Sequence, residues 1–74
     1  MITVYSKPDC AACQAVKHWL DKAQLDYTLI DLTQDPAAMA YVASLGYLSA
    51  PVVVTDNEHW AGVHPDRISA LVDL

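Results

Sequence analysis

Two cysteines, Cys10 and Cys13, are the only ones in the 74-residue chain, and two alanines separate them. They stand between a short apolar run and an alanine-rich stretch with helical character. Side chains three residues apart on a helix face are neighbours, about 5–6 Å from each other. A disulfide spans that separation. The start of a helix also favours negative charge, because its first N–H groups are unpaired and its dipole is positive there. A thiolate formed at that place has a lowered pKa and becomes a nucleophile at neutral pH. The spacing therefore suggests a dithiol that closes to a disulfide and reopens as part of a reaction.

Two other uses of the pair fit less well. Structural zinc needs four ligands. His18 lies five residues past Cys13, about 140° around a helix from it, and His59 and His64 show no ligand spacing. A static staple is also a poor fit, since so short a loop removes little entropy from the unfolded chain. No metal and no cofactor are expected beyond the redox-active Cys10–Cys13 disulfide itself.

Seventy-four residues, 54% of them hydrophobic, suit one small domain spanning residues 1–74. The net charge is −5, and the only basic residues are Lys7, Lys17, Lys22 and Arg67. Without a basic patch, nucleic acid is not an expected partner. An anionic membrane surface is excluded on the same ground, and no apolar run approaches membrane-spanning length. Lys7, Pro8 and Asp9 fall where a secretory signal would need its apolar stretch. A cytoplasmic, reducing location is the expectation, and a disulfide there is transient and catalytic.

The elements that position the cysteines follow from periodicity. Residues 2–5 read as a strand and residues 6–9 as a loop. A helix is expected from Ala11 to about Gln24, with Cys13, Val16, Leu20 and Ala23 as its core stripe. Residues 27–32 read as a second strand, which makes a right-handed parallel βαβ unit. Asp35 caps a second helix that has Pro36 at its first position and stops at Gly46. Val52, Val53 and Val54 read as a buried strand. A turn at residues 55–57 returns the chain as an edge strand over residues 58–60. Pro65 and Asp66 open a last helix with Ile68, Leu71 and Val72 inward. The expected fold is α/β: a four-stranded mixed sheet with three helices in the order β-α-β-α-β-β-α, packed in two or three layers.

A βαβ unit with Cys-x-x-Cys at its first helix resembles the thioredoxin fold. Ala50-Pro51 before the third strand strengthens this, because proteins of that fold carry a cis-proline loop facing the cysteines. Residues 3–8 (TVYSKP), 45–48 (LGYL), 50–54 (APVVV), Trp60-x-Gly62 and residues 65–68 (PDRI) narrow the resemblance to NrdH-type redoxins. Those proteins are glutaredoxin-like in sequence. The resemblance covers essentially the whole chain. It implies a cis Ala50–Pro51 bond and a dithiol–disulfide oxidoreductase that reduces ribonucleotide reductase. It also implies reduction by thioredoxin reductase rather than by glutathione, and a monomer is expected. The alternatives are a glutathione-dependent glutaredoxin and a module bridging an iron–sulfur cluster between subunits. Glutathione-using relatives carry a Gly-Gly-x-Asp stretch, whereas this chain reads Gly62-Val63-His64-Pro65-Asp66.

The chain departs from the NrdH pattern in three places. Ala11-Ala12 replaces a bulkier residue followed by glutamine. Ala61 and Val63 replace serine and phenylalanine. His64 stands where arginine is usual. Cys10 is expected to attack and Cys13 to resolve. Lys7, Ala50, Pro51, Trp60, Gly62 and His64 are the candidate partner-binding residues. For Trp60 a core position is an equal alternative, for Lys7 a solvated loop charge. Packing is the default for Trp19, Tyr5 and Tyr47.

Overall fold

A computed structural model describes residues 1–72. The chain runs β1 (Thr3–Ser6), α1 (Ala11–Lys22), β2 (Thr28–Asp31), α2 (Pro36–Ser44), β3 (Val52–Val54), β4 (His59–Ala61) and α3 (Pro65–Val72). The four strands form one sheet in the order β2-β1-β3-β4. β1 and β2 are parallel, as the βαβ reading requires, while β3 is antiparallel to both β1 and β4. The order of elements along the chain and the mixed four-stranded sheet are as expected, and the structure adds the order of strands within the sheet.

Alternation along the strands divides the interior into two cores, so the packing is three-layered. Val4, Val53 and Trp60 point to one face, where they meet Val16 and Leu20 of α1 and Ile68 of α3. Tyr5 and Val52 point to the other, where they meet Leu32 and Ala38 and Val42 of α2. Successive strand residues face opposite sides, so one short sheet serves both layers.

The two long helices end in the same way with different residues. In α2 the Gly46 amide donates to Ala43 O at 3.0 Å and the Tyr47 amide to Val42 O at 3.1 Å. In α1 the Gln24 amide donates to Asp21 O at 3.0 Å and the Leu25 amide to Leu20 O at 3.1 Å. Both are the paired closing bonds that satisfy orphan carbonyls behind a left-handed residue. Gly46 takes that conformation at φ 96° and Gln24 at φ 60°. Helix α1 therefore stops at Lys22, two residues before the expected end, because Gln24 does the work of a glycine. At the other end of α2 the Asp35 carboxylate accepts from the Ala38 amide at 3.0 Å, the expected N-cap.

Three smaller expectations are corrected. Glu58 belongs to the turn, where its carbonyl accepts from the Thr55 amide at 2.8 Å, and β4 starts one residue later. Val72 is 51% exposed and so is not an inward residue of α3. Ala23 is only partly buried at the cap of α1.

Candidate dithiol site

The strand register gathers the candidate residues at one end of the sheet. Tyr5, near the end of β1, pairs with Val52 at the start of β3. Val52 in turn pairs with Ala61 at the end of β4. The loop carrying Lys7 to Cys10, the Ala50–Pro51 segment and the Gly62–His64 turn must therefore emerge together. The Gly62 amide donates to Pro51 O at 2.9 Å, which ties two of these segments directly. The Ala50–Pro51 peptide bond is cis.

Cys10 and Cys13 are joined by a disulfide, with their Cα atoms 5.2 Å apart. Cys10 is the N-cap of α1 in an extended backbone conformation, and its Sγ accepts from the Cys13 amide at 3.1 Å. The sulfur thus occupies the place where a serine or aspartate oxygen usually caps a helix. Once the pair is reduced, that amide and the helix dipole favour the thiolate over the thiol at Cys10. No acidic residue lies in the first turn of α1, although Asp9, just before Cys10, works against the thiolate. Cys13 is only 1% exposed, on the stripe that includes Val16 and Leu20, whereas Cys10 is half-buried at the surface. Chemically, the pair is a dithiol–disulfide couple with the less buried cysteine at the helix start and the sheltered one behind it.

The remaining candidates separate by position. Lys7 is exposed and, with Ala50, lines a groove of about 150 Å³ whose other walls include Leu32, Met39, Tyr47 and Leu48. Pro51 is fully buried, so its ring supports the end of the sheet while Ala50 stays partly open. Trp60 is 4% exposed inside the α1/α3 core, with the Arg67 guanidinium 5.5 Å over its ring. Of its two readings, that burial matches the core one, and it offers a partner no surface. Gly62 has φ 86°, a backbone region that disfavours any side chain. The His64 ring donates through Nε2 to Ala61 O at 2.9 Å, and its own carbonyl accepts from the Arg67 and Ile68 amides. His64 therefore closes the Gly62 turn and caps α3. Its ring is committed to that turn.

The groove was not legible in the sequence as a site. Leu48 is 95% exposed and Met39 48% exposed, yet neither falls in a periodic pattern that would mark it. The one available signal is a large apolar side chain placed just after a helix-stopping glycine, in a loop. Tyr47 was expected to pack, and it does, but its hydroxyl also reaches His59 Nδ1 at 2.7 Å. Tyr5 sits at the base of the same face. Burial, then the neighbouring Tyr41 and Asp35, raise its pKa above the ordinary tyrosine value. Among the described residues, no group of three or more His, Cys, Asp or Glu side chains gathers as a metal-ligand set. Nor is any helix there long and apolar enough to cross a membrane.

Residues 2–60 match the glutaredoxin family model. The gene 56 protein of Mycobacterium phage D29 is 39% identical over 74 residues, covering 97% of this chain and 82% of that protein. The glutaredoxin-like protein NrdH of Lactococcus lactis subsp. cremoris is 32% identical over 71 residues, covering 96% of this chain and 99% of the relative. The solved structure of the Escherichia coli NrdH-redoxin superposes with a TM-score of 0.91 at 31% identity, covering 95% of this chain and 92% of that one. The chain thus has the thioredoxin/glutaredoxin fold and belongs to the glutaredoxin family, as a redoxin of the NrdH type.

Proposed function

We propose that this protein is a dithiol–disulfide electron carrier that reduces ribonucleotide reductase and is itself reduced by thioredoxin reductase. The observation that carries the reading is the half-buried Cys10 at the N-cap of α1, with the fully sheltered Cys13 one turn behind it. In the forward reaction the Cys10 thiolate attacks one sulfur of the partner's disulfide. A mixed disulfide forms, and the partner's other sulfur leaves as a thiolate that takes up a proton. Cys13 loses its proton and attacks Cys10 Sγ. The Cys10–Cys13 disulfide forms, and the partner's second thiol is released. Two electrons pass to the partner. The reductase then returns two electrons to the closed disulfide. An extended peptide of the partner lies along the groove lined by Lys7 and Ala50, beside the Pro51 turn. The 74 residues act as one domain, as a monomer, in the cytoplasm.

Two observations favour thioredoxin reductase over glutathione as the electron source. Helix α3 begins at Pro65, which has no N–H to hold a carboxylate of the tripeptide. His64, the nearest candidate cation, already spends its Nε2 on Ala61 O. The Escherichia coli relative is described as having a thioredoxin-like activity profile, which agrees with this choice. The test follows NADPH oxidation with thioredoxin reductase, and separately with glutathione and glutathione reductase, at equal protein concentration. Turnover is expected with the first system and little with the second. The reverse result makes the protein a glutathione-dependent glutaredoxin.

A further inference from the structure

The segment between α2 and β3 forms one wall of the groove, yet little holds it. Between the Tyr47 amide and the Pro51 carbonyl, no backbone–backbone hydrogen bond fastens the chain among the described residues. Leu48 at the middle of this stretch is almost wholly exposed. Tyr47 stands at its upstream end and is fixed three ways. Its amide closes helix α2 on Val42 O at 3.1 Å. Its ring packs on the α2-side core and meets the His59 ring edge-on at 5.4 Å. Its hydroxyl lies 2.7 Å from His59 Nδ1 and 3.3 Å from His59 O. This double contact suits either tautomer of the imidazole. The hydroxyl donates to Nδ1, or else it donates to the carbonyl and accepts from Nδ1–H. His59 itself is held in strand β4, opposite Val54.

We propose that Tyr47 and His59 form a positioning pair. By tying the upstream end of residues 47–50 to β4, the pair sets the groove wall against which the partner's disulfide-bearing peptide docks. This rests on the dithiol reading above and deepens it by naming what governs protein substrates as opposed to small ones. The pair touches neither sulfur, so it acts on docking and leaves the exchange step alone. A small disulfide that reaches Cys10 without the groove is indifferent to it.

The experiment uses the whole chain, reduced beforehand, with insulin as the protein disulfide and dithiobis(nitrobenzoate) as the small one. Tyr47→Phe is expected to raise the half-saturating insulin concentration about five-fold, the worth of one ordinary net hydrogen bond, and His59→Phe, which keeps the backbone carbonyl as an acceptor, to raise it by less. The limiting rate with insulin and the rate with the small disulfide should stay unchanged. The double variant should be no worse than Tyr47→Phe alone, because that change already removes both hydroxyl contacts. His59→Asn, whose amide oxygen replaces the Nδ1 acceptor, should restore most of the loss. An unchanged half-saturation in Tyr47→Phe overturns the proposal, and so does an equal loss toward both disulfides. A native protein that reduces neither compound overturns the redox reading first, and this proposal with it.

Discussion

On the α1/α3 side of the sheet, Val4, Val16, Leu20 and Val53 have no exposed surface at all. On the α2 side, Met39 and Leu48 stand open to solvent beside a groove. Both layers pack against the same four short strands, so the difference comes from the helices. Helix α1 has twelve residues and a clear apolar stripe, and α3 closes over its end. Helix α2 has nine residues, mostly small, and it covers its side of the sheet alone. One side is built to hold the fold, and it carries Cys13 within its stripe. The other gives up burial and keeps apolar surface free where the dithiol loop, the Ala50–Pro51 turn and Lys7 converge. The lesson is that a domain this small can serve stability and docking together by assigning them to opposite faces.

The largest expected effect falls on the sulfurs. Cys10→Ser should abolish reduction of a protein disulfide. Cys13→Ser should still attack and then accumulate as a mixed disulfide with its partner, visible as an added mass under non-reducing conditions. Identical behaviour of the two variants removes the division of labour between a reachable and a sheltered thiol.

Next comes the contrast in stability between the faces. Leu20→Ala empties a fully buried site and should cost about 2–5 kcal/mol in urea unfolding. Met39→Ala on the open face should change stability by no more than about 0.5 kcal/mol. Equal losses would show that α2 carries as much of the fold as α1 does.

A smaller effect sharpens the docking side. Leu48→Ser should leave stability within about 0.5 kcal/mol of the parent, because the side chain is already in water. It should nonetheless raise the half-saturating concentration of a protein disulfide and spare a small one. Unchanged kinetics with both would leave the exposed leucine without a part in docking.

The smallest effect is the response to alkaline pH. Folding raises the pKa of Tyr5, first by burial and then through Tyr41 and Asp35. In the alkaline range the folded state therefore holds its proton more firmly than the unfolded chain. The resulting stability is complete below the ordinary tyrosine value of about 10 and is lost as pH rises through the folded value. Tyr5→Phe should flatten that decline in unfolding curves measured above pH 9.5. A decline as steep as the parent's would assign the pH dependence to other groups.

Some of these features were legible in the residue order, because their causes are local. Asp35-Pro36 announces the start of α2, since the carboxylate needs only the amide three residues on and the ring only a helical φ. Gly46 announces its end, because glycine enters the left-handed region without a steric penalty. The matching end of α1 was not legible, since Gln24 takes that conformation without being a glycine. What imposes it is the packing of Leu25 against the α1-side core, three residues past the helix.

The dithiol is the clearest case of what sequence alone determined. Two cysteines three apart at a helix start must meet, because helical geometry places them together whatever the rest of the chain does. The succession of four strands and three helices along the chain was likewise settled by period, caps and turns. Only the tertiary structure decided that Trp60 faces inward, that His64 closes the Gly62 turn, and that Tyr47 reaches His59 twelve residues away. Each of these depends on which strands pair and in what register. Register is fixed when two faces of one sheet are buried at once, a condition on all the elements together that no short stretch of residues contains.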